Sequence, residues 1–201
     1  EIAEMHIEKG DIKSANTYLL KAQGLHTDSI RSEYIKMLIN LENSDSLAAI
    51  SSFLSMVNKN KLAFIIALPK IIQSTDNDLD VINVKLSKLL DNDPEIMDYL
   101  ALVGVMYPDI ENKVIENVMQ TFIERQDIVQ EIDKLDDNYS ITSKISIQLS
   151  QSMRHKLNNK MRSKYKFSCK KCGYQTISFS WQCPTCKSWE SSSSINFLKA
   201  I

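Results

Sequence analysis

All four cysteines of the chain fall within one short stretch, "CKKCGYQTISFSWQCPTC", as Cys169, Cys172, Cys183 and Cys186. They form two Cys-x-x-Cys pairs with ten residues between Cys172 and Cys183. Two residues between thiolates let one short turn place both sulfurs on the same side. Two such turns on a small β hairpin complete a tetrahedron around a metal ion. A disulfide framework, a thioredoxin-type redox pair and uncoordinated buried thiols are the competing readings. A redox pair would occur once, at a helix N-terminus in a βαβ setting, and a secreted disulfide scaffold would rarely append its only cysteines to a helical array. The spacing therefore predicts one tetrahedral four-cysteine site, for zinc or for iron, because both metals accept sulfur ligands in that geometry. Between the pairs, "TISFSW" (176–181) alternates polar and apolar residues and predicts a strand. Gly173, directly after the first pair, is free to take the positive φ that aims backbone N–H groups at the sulfurs.

The rest of the chain repeats. Gly10-Asp11 and Ser44-Asp45 are separated by 34 residues, and the same offset pairs Ala15 with Ala49, Leu19 with Phe53 and Leu20 with Leu54. A 34-residue period is that of the tetratricopeptide motif, in which a tight turn reverses the chain and a small residue lets the second helix approach the first. Two helix pairs are predicted, about 1–9 with 12–24 and about 28–42 with 45–58. Ile12, Ala15, Leu19 and Ala22 recur at helical spacing in one, and Leu47, Ile50, Leu54 and Val57 in the other. Beyond residue 60 the period decays. "KLAFIIALPKIIQ" (61–73) and "LDVINVKLSKLL" (79–90) predict a third pair with Asp78 at the turn, and further helices are expected over about 94–106, 111–135 and 140–162.

Composition agrees with a mainly α fold. Only 4 Gly and 4 Pro are present, too few for the turns of an all-β architecture, and 43% hydrophobic residues suffice for a substantial core. Lys plus Arg number 24 against 25 Asp plus Glu, so the overall charge attracts neither nucleic acid nor an anionic membrane. Residues 153–171 are the local exception, with 8 Lys or Arg and no acid. The simple reading is that these cations are solvated and partly offset the thiolate charge; a nucleic-acid or anionic-lipid contact is the other. The longest apolar runs, "LAFIIALP" (62–69) and "YLALVGVMYP" (99–108), fall short of the roughly 18 to 20 residues a membrane span needs. The chain opens inside a helix, as a soluble piece of a longer array would. No glycine-rich phosphate loop occurs, His6, His26 and His155 lie far apart, and no nucleophile has a recognisable base beside it; the expectation is a protein that is not an enzyme. "DNDPEIMD" (91–98) reads as a turn leading into a helix start.

Helical repeats followed by "YKFSCKKCGYQTISFSWQCPTCKSWES" resemble the lipopolysaccharide assembly protein B (LapB) family of Gram-negative bacteria. The most specific part is aromatic-x-Cys-x-x-Cys-Gly-aromatic, Phe167 to Tyr174, joined to Trp-x-Cys-Pro-x-Cys-x-x-Trp, Trp181 to Trp189. The resemblance implies a tetratricopeptide-type helical solenoid over 1–163 and a small rubredoxin-like β ribbon over 164–201, packed against each other. Cys169, Cys172, Cys183 and Cys186 carry over as ligands of one zinc or iron ion. It also implies an adaptor on the cytoplasmic face of the inner membrane, tethered by a segment outside this sequence. That adaptor would promote degradation of the deacetylase LpxC by the protease FtsH and so limit lipopolysaccharide synthesis, with no nucleic-acid partner. No partner-binding residue is carried over from a matched motif. A nucleic-acid-binding zinc ribbon and a rubredoxin-type electron carrier are the alternatives.

Overall fold

The computed structural model describes residues 1–26, 29–75, 78–123, 154–155, 157–159 and 166–195. They are mainly helical, with a small three-stranded antiparallel sheet near the C-terminus. The expected division at 163/164, residues 124–135 and most of 140–162 lie outside the described residues.

Helices α1 (Ile2–Glu8) and α2 (Ile12–Leu25) form one antiparallel pair, and α3 (Ile30–Glu42) and α4 (Ser46–Lys59) form a second. Both expected pairs are borne out to within a few residues, and both turn the same way. Gly10 (φ 73°) and Ser44 (φ 58°) sit in the left-handed region. In each turn this residue's N–H bonds a carbonyl three back, Ile7 or Leu41. The next N–H reaches five back, to His6 at 2.8 Å or Asn40 at 2.8 Å. Those are the paired bonds of a Schellman closure. The following helix is then capped from its own sequence: Asp11 accepts from the Ser14 N–H and Asp45 from the Ala48 N–H. Ala15 and Ala49 are fully buried, as the small-residue position requires. The buried stripe differs in detail from the expected one. Leu47 and Ala22 are exposed, because they lie off the arc set by Ala15 and Leu19 in α2 and by Ala49, Phe53 and Met56 in α4.

The third pair does not form as a simple hairpin. Its first arm is two short helices, α5 (Ala63–Ile66) and α6 (Leu68–Ser74), separated at Ala67, with Pro69, which lacks an N–H, in the first turn of α6. Helix α7 (Leu79–Asn92) starts one residue short of the 34-residue offset, and Asp78 makes no side-chain cap. α6 packs on α4, and α7 packs on α8 (Ile96–Met106) and α9 (Lys113–Ile123). The α7–α8 connection is the expected turn: Asp93 Oδ1 accepts from the Glu95 N–H, and Lys61 bridges Asp93 and Glu95.

Two apolar clusters result. A small one joins Ala3, Ala15, Leu19, Ile35 and Ile39. A large one runs through α4 to α9, centred on Phe53, Phe64, Leu68, Leu86 and Leu100, and takes in Phe167 of the sheet. The α8–α9 contact is very close at Gly104, where an added Cβ would lie 2.6 Å from Met119 Cγ and 3.2 Å from Ile115 Cγ2. Gly104→Ala is therefore expected to destabilise the protein by about 1–3 kcal/mol through overpacking, despite the roughly 1 kcal/mol gained in helix propensity. The shift in urea midpoint at constant m-value measures it.

Candidate metal centre

The sheet is built from β1 (Phe167–Cys169), β2 (Gln175–Thr176) and β3 (Ser192–Ser194), in the order β2-β1-β3. Phe167 pairs with Thr176 and with Ser194, and Cys169 pairs with Ser192. The strand expected over 176–181 is corrected: only Thr176 belongs to the ladder. Its hydroxyl bonds the Ser178 N–H and carbonyl, which turns the chain out of the sheet. Phe179 and Trp181 then face the helices. The ring of Phe179 meets Phe167 at 5.8 Å and Trp181 at 4.8 Å, and Trp181 meets Tyr34 of α3 at 5.4 Å. Strand β3 carries no apolar alternation, and the serine run gave no strand signal.

Each Cys-x-x-Cys pair closes the same knuckle. Gly173 (φ 75°) donates its N–H to the Cys169 carbonyl at 2.9 Å, and Lys187 (φ 60°) donates to the Cys183 carbonyl at 3.0 Å. The Cys169 N–H reaches the Tyr174 carbonyl and the Cys183 N–H reaches that of Ser188. Gly173 does what its sequence position implied. Lys187 holds the equivalent backbone conformation without being glycine, and no local sequence signal marked it.

The four sulfurs lie within 4.8 Å of one another. Cys169 Sγ is 3.7 Å from Cys186 Sγ, and Cys172 Sγ is 3.7 Å from Cys183 Sγ. A tetrahedral ion with metal–sulfur bonds of about 2.3 Å needs sulfur edges of about 3.8 Å, which these two edges match. Cys169 and Cys183 are buried, while Cys172 and Cys186 face solvent. The shell around the sulfurs favours thiolates. The Ser191 hydroxyl lies 3.3 Å from Cys169 Sγ and the Lys171 N–H points at that sulfur, and together they hold the Cys169 thiol below its ordinary range. Ser188, 3.3 Å from Cys186 Sγ, does the same for Cys186. At Cys172 the Tyr174 backbone favours the thiolate, but partial desolvation and the three neighbouring sulfurs outweigh it and push the thiol up. A divalent cation bound among four sulfurs stabilises their thiolate forms.

Residues 167–191 match the model of the LapB-type zinc ribbon, described as a rubredoxin metal binding domain. This segment is a LapB-type zinc ribbon. All four expected ligand positions lie within the matched residues and cluster as a group that could hold one ion, and the donor set accepts either zinc or iron. No curated protein matches the chain. Among the described residues, no helix is long and apolar enough to cross a membrane.

The ribbon is joined to the helices by more than the Phe167 side chain. Glu190 accepts hydrogen bonds from the Ser29 hydroxyl and from the backbone N–H groups of Ile30 (3.3 Å) and Arg31 (3.1 Å). The Arg31 guanidinium lies 4.8 Å over the Trp189 ring and pairs with Glu4 of α1. Arg154 and Asn158 are described residues of the basic run 153–171. Arg154 is not solvated: it is fully buried, with Nε donating to the Gly104 carbonyl and a terminal nitrogen donating to those of Tyr107 and Ile110. Asn158 donates to the Val105 and Met106 carbonyls. These two side chains cap the C-terminal end of α8, where the helix dipole favours a cation.

Proposed function

We propose that this chain is a non-enzymatic adaptor, a tetratricopeptide-type helical array whose metal ribbon fixes the shape of a protein-binding surface. The proposed task follows the LapB resemblance: to present the deacetylase LpxC to the protease FtsH at the cytoplasmic face of the bacterial inner membrane, and so to limit lipopolysaccharide synthesis. The observation that carries this reading is the LapB-type ribbon seated on helix pairs that share a 34-residue offset, a common Schellman turn and a common aspartate cap. Helical arrays of that kind capture partners on extended faces. A closed four-sulfur cage has no open coordination position for a substrate, which suits a metal that organises structure. Burial of Arg154 also takes one cation of the 153–171 run away from solvent, which weakens the nucleic-acid alternative.

The deciding experiment is the cellular half-life of LpxC in a Gram-negative strain lacking this protein, complemented with the protein or with its Cys172→Ser form. The protein is expected to shorten the half-life and the variant to leave it long. An unchanged half-life in both complemented strains would falsify the adaptor reading for this chain.

A further inference from the structure

The N-terminus of α3 is capped differently from those of α2 and α4. Ser29 is its N-cap, and its hydroxyl oxygen accepts from the Ser32 N–H at 3.1 Å. A capping box would then place Glu or Gln at the third helical position, where its side-chain oxygen accepts from the backbone N–H of the N-cap residue. That position is Ser32, which is too short to do so. The carboxylate comes instead from Glu190, far along the chain, and satisfies the Ile30 and Arg31 N–H groups and the Ser29 hydroxyl together. A negative charge there also suits the positive end of the α3 dipole.

Glu190 is held in place by the metal knuckle. It lies four residues after Cys186, its φ is 50°, and its N–H donates to the Trp181 carbonyl at 2.7 Å. Lys187 is also in the left-handed region. Two non-glycine residues in that region within one short segment persist only where the surroundings over-determine them, and here the holding bonds run to the carbonyls of Cys183 and Trp181, at and beside the second knuckle. Beside this junction is an open groove of about 1030 Å³, with Trp189 and Glu190 on one wall and Tyr18, Leu25 and Ile35 on the other.

We propose that Glu190 is the positioning residue through which metal occupancy of the ribbon controls the first turn of α3 and the groove beside it. The inference rests on the metal-binding reading of the ribbon and goes beyond it. With metal bound, the knuckle holds Glu190 in its left-handed conformation and α3 is capped. When the metal leaves, the segment 187–190 relaxes to ordinary backbone, the carboxylate withdraws, and the α3 start frays while the large cluster around Phe53 and Leu100 stays packed.

Amide hydrogen exchange on the full chain tests this, with metal content measured first. In the metal-loaded protein, Glu190→Ala is expected to speed exchange at Ile30 and Arg31 by about fivefold to tenfold, the size of a lost helix cap. Chelating the metal from the unsubstituted protein is expected to do the same at the same amides. Because coupling between two events is reciprocal, Glu190→Ala must also weaken metal binding by the same factor in a competition with a chromogenic chelator, and Glu190→Gln by less. Unchanged protection of Ile30 and Arg31 in loaded Glu190→Ala overturns the proposal. So does deprotection with no change in metal affinity, which would make Glu190 an ordinary surface cap. A protein that holds no metal overturns the metal reading and this inference together, and the metal assay tells that outcome from the others.

Discussion

Cys172→Ser is expected to release the ribbon from the helices and to lower the melting temperature of the helical part as well. Structural zinc can contribute about 10–16 kcal/mol to folding, and a site with three thiolates forfeits several kcal/mol of that. The loss spreads because the ribbon's aromatic residues also pack on the helices. Its largest buried side chain, Phe167, belongs to the cluster that includes Phe53 and Leu100, and Trp181 rests on Tyr34. Unfolding the ribbon therefore exposes apolar surface around Ile30 and Tyr34 of α3 and Ala63 and Ile66 of α5, and removes the Glu190 contacts. Circular dichroism at a helical wavelength, with and without chelator, gives the readout. Identical helical melting curves for variant and parent would show two independent modules and would contradict the packing described above.

Arg154→Met is expected to cost about 2–5 kcal/mol, at roughly 1–3 kcal/mol for each buried carbonyl left without a donor. Two effects oppose each other. Burial makes the guanidinium costly to keep charged and lowers its pKa, although Glu116 and Asp109 act in the other direction. Against that, the carbonyls of Gly104 and Ile110 lose the Arg154 donor, while that of Tyr107 keeps the Ile110 N–H at 3.1 Å. The unsatisfied carbonyls win, because methionine fills the space but donates nothing. Arg154→Lys should recover only a minor part, since one ammonium cannot reproduce the planar fork. Urea denaturation of the three proteins decides it, and a Met variant within about 0.5 kcal/mol of the parent would mean that water replaces the arginine.

Features with a local cause were legible in the sequence. Asp11, Asp45, Ala15 and Ala49 mark the first two helix pairs because caps and small-residue contacts act within one turn of the chain. Cys169, Cys172, Cys183 and Cys186 mark the cage because spacing alone brings each pair together. Features with a distant cause were not. A run of lysines and arginines looks like solvated surface, and nothing near Arg154 says that the carbonyls of α8 need it. Nothing near Glu190 says that α3 lacks an acid at its third position. Residues Ile177 to Trp181 looked like a strand because alternation also arises when aromatic side chains turn toward another unit. Ser44 and Lys187 occupy left-handed backbone that glycine would mark, and they are held there by bonds the local sequence does not show.

The helix ends completed from far along the chain also set an order of assembly. Helix α3 receives its cap from Glu190 and α8 receives its C-terminal donors from Arg154 and Asn158. During synthesis at about 5–20 residues per second, α3 leaves the ribosome roughly 10–30 s before Glu190 does. For that interval its first-turn N–H groups have only Ser29 and water. The nascent chain thus carries an unfinished helix start until the ribbon emerges, and under the proposed coupling metal supply at that moment sets when the α3 cap is completed.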